Sequence, residues 1–511
     1  MYRRHLLACT LLVTGLLALA RAVDTPWPTQ RWTSATPASQ GLHTGVLAEL
    51  VEHLATPGFN TDSVILVRNG RLVLEAYAAP FRAELRHDLR SVTKTVIGTL
   101  VGAAIQQGRM ASDQARVLDF FPERAPTSAG QQAMTVRHLL EMQGGIDWRE
   151  WPYDAQSDAL KMWSSPDYTD YVLARPVGEP GERMLYGGAG PHLLSAVLTR
   201  STGGNAADYA RRHVFKTLGI GDFAWASDPQ GHSVGDSTLH MRALDLARIG
   251  LLHLRRGQWE GRQLLPPGWT EALFTDPGPP HGISSPALPP TYRTLWWTDG
   301  RVPYATASGR HGQFVILLPR QDMVLVVSAK TDDESRGSRP PELVEKYLLK
   351  AVQRGASAGG QARLARALQR LARRQGPASR TPSESALAQS RRLFALEPNA
   401  AGYREFALLL GGPEPHYRMQ HGAASDAAPT GVRGGPLGLD GRYLESTRAG
   451  DRLWARRGRW VDDRSFRIET QHLESAFVSV WTARFLGDGE LELVYTNGET
   501  EELRLRGRAR E

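Results

Sequence analysis

The clearest hydropathy pattern in the chain is "DSVILVRNGRLVLEAYA" (62–78), two runs of alternating apolar and polar positions joined at Asn69-Gly70. Alternation with period two suits half-buried strands, and Asn-Gly suits a tight two-residue turn, so the stretch predicts a β-hairpin. The next segment, "LRSVTKTVIGTLVGAAIQQGRM" (89–110), repeats apolar residues at helical spacing and predicts a helix closing near Gly108. Residues 135–260 read as mostly helical, punctuated by Gly-Gly and Pro-Gly turns. "YRTLWWTDG", "GQFVILLP" and "DMVLVVSAK" (292–330) then read as strands. Strands at both ends with helices between them predict an α+β unit over 23–355 whose sheet pairs N- and C-terminal strands. Residues 356–385 turn Ala/Arg/Gly/Ser-rich and predict a linker with a short helix at 361–374. Beyond it, 386–511 alternates every few residues around Gly-Asp-Gly and Asn-Gly turns, the pattern of a small antiparallel β domain. Capping a cleft, pairing subunits and contacting the cell envelope are all open uses for that domain.

The one long apolar run, Leu6–Ala20, follows a basic start and ends in Ala20-Arg21-Ala22, a small-x-small pattern. It predicts a secretory signal peptide over 1–22, cleaved after Ala22, and it is short for a membrane span. The product expected is a secreted or periplasmic protein without a membrane span. Cys9, the sole cysteine, lies inside this leader, so the mature chain would have no disulfide, cysteine nucleophile or thiolate metal site.

The 511 residues are 41% apolar and 22% charged, ordinary for a folded protein, and carry a net charge of +8. Arginine far outnumbers lysine, but no basic run interleaves with aromatics; the charge reads as solvated surface and no nucleic acid is expected as a partner. The histidines of "HDLR" and "RHLLEM" lack a second ligand at metal spacing, so no metal is expected. Asp147-Trp148 and Trp296-Trp297 read as packing.

Candidate chemistry begins at Ser91 and Lys94, since Lys94 is the only lysine of six with a serine three positions before it. On a helix, positions i and i+3 share a face, so the amine can reach the hydroxyl. Burial could lower the amine's pKa enough to make it a base, and the helix N-terminus would favour an alkoxide and an oxyanion. The same four residues would also make an ordinary polar first turn on a core helix. Spacing alone leaves both readings open.

The wider context resembles the serine β-lactamase-related family of class C β-lactamases, DD-peptidases and esterases. The resemblance runs from 89–110 through "VLDFFPE", "MTVRHLLEMQGGIDW" and "GERMLYGGAGPHLLSAVLTRSTG". Within the family, "HMRALDLARIGLLHLRRGQWEGRQLLPPGW", "LWW" and "SGRHGQFVILLPRQDMVLVV" are most similar to the 6-aminohexanoate-dimer hydrolase branch. The resemblance implies the β-lactamase/DD-peptidase fold, an antiparallel sheet beside a helical subdomain with the site between them. It further implies acyl transfer to Ser91, with Lys94, neutral at rest, as base and Tyr186 passing the proton to the leaving group. No cofactor is implied, and the partner would be a small ester or amide. Two positions depart from the family pattern: Gly188 replaces the asparagine of Tyr-x-Asn, and Ala307-Ser308-Gly309 replaces Lys-Thr-Gly. By that alignment the Arg310 N–H is the second oxyanion donor, and Arg310 and His311 could supply the missing positive charge. The branch's additional tyrosine would be Tyr168 or Tyr171. A D-amino-acid peptidase or esterase on cell-wall fragments, and a degenerate binding protein, are the alternatives.

Overall fold

The computed structural model describes residues 26–275, 288–299, 302–331, 339–357, 359–374, 376–422, 431–448, 452–498 and 501–510. The predicted leader lies outside them. Among them no helix is long and apolar enough to cross a membrane.

In chain order, helix α1 (Thr44–Leu54) leads into the hairpin β1 (Thr61–Arg68) and β2 (Arg71–Tyr77), turned at Asn69-Gly70. Then come α2 (Val92–Gln106), α3 (Ala189–Thr202) and α4 (Ala243–Leu254), followed by β3 (Thr291–Arg293), β4 (Trp296–Asp299), β5 (Tyr304–Gly309), β6 (Gln313–Leu318) and β7 (Met323–Ala329). Among the described residues these strands form a seven-stranded sheet in the order β2-β1-β7-β6-β5-β4-β3, antiparallel throughout. The first hairpin therefore pairs with the last strand, as the apolar pattern implied.

Both sheet faces are covered, and period two decides which residue faces which layer. Ile65 and Val67 of β1, with Val324 and Val326 of β7, pack toward α2, α3 and α4. Val64 and Leu66, with Leu325 and Val327, pack toward α1. Helix α2 is buried over nearly its whole length, from Val92 to Ala104, so it is an internal post between sheet and helical region.

The helix expected inside a linker forms as α5 (Gln361–Arg373), but it is not detached. Leu364, Ala367 and Leu371 are buried in the core beneath α1 and β2. Spaced at i, i+3 and i+7, they make a narrow apolar stripe that the Ala/Arg-rich composition conceals.

The remaining strands are β8 (Leu393–Leu396), β9 (Tyr403–Leu409), β10 (His416–His421), β11 (Gly431–Pro436), β12 (Leu444–Arg448), β13 (Arg452–Trp460), β14 (Ser465–His472), β15 (Ser479–Gly487), β16 (Glu490–Thr496) and β17 (Leu503–Ala509). They pair in the order β11-β10-β9-β8-β17-β16-β15-β14-β13-β12, curling until β11 and β12 approach one another in a barrel-like domain. Its core is aromatic, with Phe394, Phe406, Trp460, Phe466, Trp481 and Phe485 buried together.

This domain docks beside the segment that leads into α2. Arg86 grips Glu474 through two hydrogen bonds of 2.8 and 3.2 Å, and the Asp88 N–H donates to the Glu474 carbonyl at 2.9 Å. Phe81 and Leu85 pack on Ala455 and Leu473. Beneath them Asp62, fully buried, accepts from Lys330, from Arg374 (2.6 Å) and from His87 (2.9 Å). Lys330 also donates to the Leu473 carbonyl at 3.2 Å, tying sheet, α5 and barrel together.

Candidate active site

Ser91 is the N-cap of α2, yet its side chain makes no capping bond, which leaves its hydroxyl free for other chemistry. The turn before it is strained: Arg90 holds φ +50°, a left-handed conformation unfavourable for any residue with a Cβ. The Arg90 N–H donates to Asp88 Oδ1 at 2.9 Å and Arg90 lies over the Phe477 ring of the barrel, which offsets that strain. One turn on, the Lys94 ammonium donates to Ser91 Oγ at 3.0 Å and to the Asp236 carbonyl at 2.8 Å.

Lys94 is 1% exposed. Burial alone would lower its pKa, but Tyr186, Asp236 and Glu150 around it outweigh burial and hold it above the ordinary lysine value. A neutral resting amine was expected; the anionic surroundings favour the ammonium instead. Tyr186 presents its ring to this amine, with the centroid 5.3 Å from Nζ. Trp151 and Trp297 stack on Tyr186 at 5.6 and 5.2 Å, and Tyr292 meets it edge-on. Such aromatic packing holds the ring in place.

Ser91 and Lys94 open into a cavity of about 280 Å³ that is also lined by Arg90, Glu150, Tyr153, Asp236 and Arg310. Glu150 is buried, accepting from Trp148 Nε1 at 2.7 Å, the Gly188 N–H at 2.9 Å and the Tyr153 hydroxyl at 3.3 Å. Burial is the main cause that raises its pKa. Glu501, from the turn between β16 and β17, reaches the same cavity, so the C-terminal domain contributes directly to its wall.

The departures from the family pattern acquire a physical reading. A Cβ at Gly188 would lie 3.1 Å from Asp236 Oδ2, so the Asp236 carboxylate occupies the space an asparagine side chain would need. Asp236 is 1% exposed and its Oδ1 has no hydrogen-bond partner among the described residues. Gly309 permits close approach, since a Cβ there would come within 2.5 Å of the Leu89 carbonyl. That contact seats the end of β5 against the turn preceding Ser91. Ala307 is buried in the core and Ser308 is paired with Phe314 in the sheet; of this segment only Arg310 lines the cavity, its guanidinium over the Tyr153 ring at 5.1 Å.

Besides Ser308 and Gly309, three more expected site residues lie outside the cavity lining. His311 is buried at φ +66°, donating from Nδ1 to the Thr331 carbonyl at 2.9 Å, and serves the β5–β6 turn. The Tyr168 hydroxyl donates to the Trp163 carbonyl and that of Tyr171 to Asp158 Oδ1, both outside the cavity lining. Tyr153, by contrast, lines the cavity. Glu150, Tyr153, Asp236 and Glu501 were all missed; "REWPYD" offered a signal, two acids and a tyrosine in an irregular cleft loop.

His192, Asp228 and His232 also bring metal-capable atoms within 4.8 Å of one another. They are joined by hydrogen bonds of 3.2 and 3.1 Å to Asp228 Oδ2, while His192 Nδ1 accepts the Gly235 N–H at 3.4 Å. Burial would raise the Asp228 pKa, but the two imidazoles outweigh it and keep the carboxylate ionised. The cluster braces the loop that delivers the Asp236 carbonyl to Lys94.

A serine, a lysine one turn later, a tyrosine beside the amine, and a strand end against the serine turn define a β-lactamase-type serine hydrolase site. The Beta-lactamase family model matches residues 47–349, more than half of the chain, and the protein belongs to that family. The 6-aminohexanoate-dimer hydrolase of Paenarthrobacter ureafaciens is 28% identical over 295 residues, covering 54% of this chain and 74% of the relative. Among solved structures, a candidate 6-aminohexanoate-dimer hydrolase from Bacillus anthracis superposes with a TM-score of 0.50 at 18% identity, covering 64% of this chain and 88% of that one. A candidate β-lactamase from Bacteroides dorei gives a TM-score of 0.50 at 16% identity, covering 61% of this chain and 99% of that one. The protein is a serine hydrolase of the amidase/esterase type.

Proposed function

We propose that this is an exported hydrolase that cleaves small amides or esters through a Ser91 acyl-enzyme. The observation that carries the reading is the 3.0 Å contact between Lys94 and Ser91 at the foot of the cavity. Once Lys94 has released its extra proton, its free amine takes the Ser91 proton as Oγ attacks the carbonyl carbon. The Ser91 and Arg310 N–H groups face the oxyanion, each such donor being worth about 3 kcal/mol in the transition state. The Lys94 proton then passes through the Tyr186 hydroxyl to the leaving nitrogen or oxygen as the C–N or C–O bond breaks. Water, deprotonated by the same pair, attacks the acyl carbon and returns Ser91.

The wall carries three acids (Glu150, Asp236, Glu501) and three bases (Arg90, Lys94, Arg310), which suits a small substrate bearing both an amine and a carboxylate. The relative that hydrolyses a 6-aminohexanoate dimer fits that chemistry. The asparagine and lysine that would hold a β-lactam are absent at 188 and 307, so β-lactams are poor substrates in this reading. Cell-wall fragments ending in a D-amino acid would meet the same charges.

The test is turnover of p-nitrophenyl esters and short linear amino-amides by wild type and Ser91→Ala. The proposal expects turnover by wild type and none by the variant. Equal turnover by both proteins would refute it.

A further inference from the structure

The sequence scatters its arginines, but the fold collects them. A second cavity, of about 930 Å³, lies between α5 and the barrel and shares no lining residue with the one at Ser91; seven arginines and two glutamates line it. Helix α5 and its end supply Arg366, Arg370, Arg373 and Arg374; the first three, at i, i+4 and i+7, project from one helix face. Across the cavity, β13 and β14 supply Arg457, Arg459 and Arg467.

Three of these cations are committed, Arg374 to Asp62, and Arg457 and Arg467 to a shared carboxylate, Glu469. Seven cations against two carboxylates still leave the lining short of negative charge. Arg459 and Arg467 are direct cross-strand neighbours, an arrangement that like charges make unfavourable. Arg459 Nε is buried and has no hydrogen-bond partner among the described residues. Burial, together with Arg467 and Arg457, disfavours its charged form against the single pull of Glu469. On the helix side, Arg370 reaches Glu52 only at 3.9 Å.

We propose that this cleft binds a multiply charged phosphate-type oxyanion. Guanidinium forks match phosphate oxygens bidentately, and the volume exceeds what one inorganic ion fills, so two or more linked phosphoryl groups fit best. The anion would supply the counter-charge that Arg459 lacks and would bridge α5 to the barrel. Its source is either a soluble polyphosphate-like molecule or the phosphoryl headgroup of a lipid.

The test is calorimetric titration of the full-length protein with tripolyphosphate at low salt, and co-sedimentation with phosphatidylcholine vesicles with and without phosphatidic acid. Saturable one-to-one binding is expected, weakened about tenfold by Arg459→Gln and again by Arg373→Gln, with affinity falling as salt rises. The control Arg116→Gln/Arg211→Gln removes the same charge elsewhere and should leave binding unchanged. Arg459→Gln strands no partner, so its unliganded melting temperature should hold or rise. Binding to tripolyphosphate assigns the soluble source. Binding to the acidic vesicles alone, with the same variant dependence, assigns the headgroup. No saturable binding in either arm, or equal weakening by the control pair, overturns the proposal.

Discussion

Two lysines are buried in the catalytic domain, and they are held in opposite ways. Lys330 is clamped against Asp62, which also accepts from Arg374 and His87, and it lines neither cavity described above. Lys94 is held by the Ser91 hydroxyl, the Asp236 carbonyl and Tyr186, with the carboxylates of Glu150 and Asp236 close by, and a cavity lies in front of it. A buried charge met directly by its counter-charge is structure, because removing either partner strands the other. A buried charge held by groups that can exchange protons, next to open space, is available for chemistry.

Ser91→Ala should have the largest effect, lowering kcat/KM about 10⁴-fold in ester or amide assays while leaving the melting temperature nearly unchanged. Asp62→Asn should do the reverse. It leaves Lys330 and Arg374 without their carboxylate and should cost about 3–5 kcal/mol in urea unfolding, with specific activity of the folded fraction retained. Burial raises the Asp62 pKa, but Lys330, Arg374 and His87 together pull it well below the carboxylate range. Its stabilisation is therefore present above the unfolded carboxyl pKa and is lost as pH falls through the folded value.

The pH dependence of Lys94 has the opposite sign. Its folded pKa is raised, so its stabilising contribution is complete below the unfolded lysine value and fades as pH rises through the folded one. Catalysis needs the free amine, so kcat/KM should climb through the alkaline range while stability declines. Glu150→Gln removes one of the charges that hold the ammonium while keeping an oxygen for Trp148 and Gly188. A steady-state pH profile should then move to lower pH by about one unit. The smallest effect is expected from Glu501→Gln, which should raise KM about threefold for amine-bearing amides and not for neutral esters. Equal changes for both substrates would show that Glu501 only shapes the wall.

The same contrast marks what could be read from the sequence. The β1–β2 hairpin, α2 with Ser91 and Lys94, and the central strands follow from local periodicity, which records burial directly. Helix α5 was legible as a helix but not as part of the core, because three apolar residues among many arginines do not announce a packed face. The sequence offered Tyr168 and Tyr171, but the tyrosine that reaches the cavity wall, Tyr153, is placed by the path of an irregular loop, which carries no period. Asp236 and Glu501 reach the site only through tertiary approach, from residues roughly 140 and 410 positions after Ser91. The buried partner of Lys330 is a similar case, joining positions 62, 87, 330 and 374.

The central claim is that Lys94 activates Ser91, and it can be tested with a fluorophosphonate probe and peptide mass mapping on wild type, Ser91→Ala and Lys94→Ala. The account predicts an adduct confined to Ser91, absent from Ser91→Ala, and formed in Lys94→Ala at a rate reduced by at least about a hundredfold. Labelling of folded Lys94→Ala as fast as wild type, or an adduct on another residue, would contradict it.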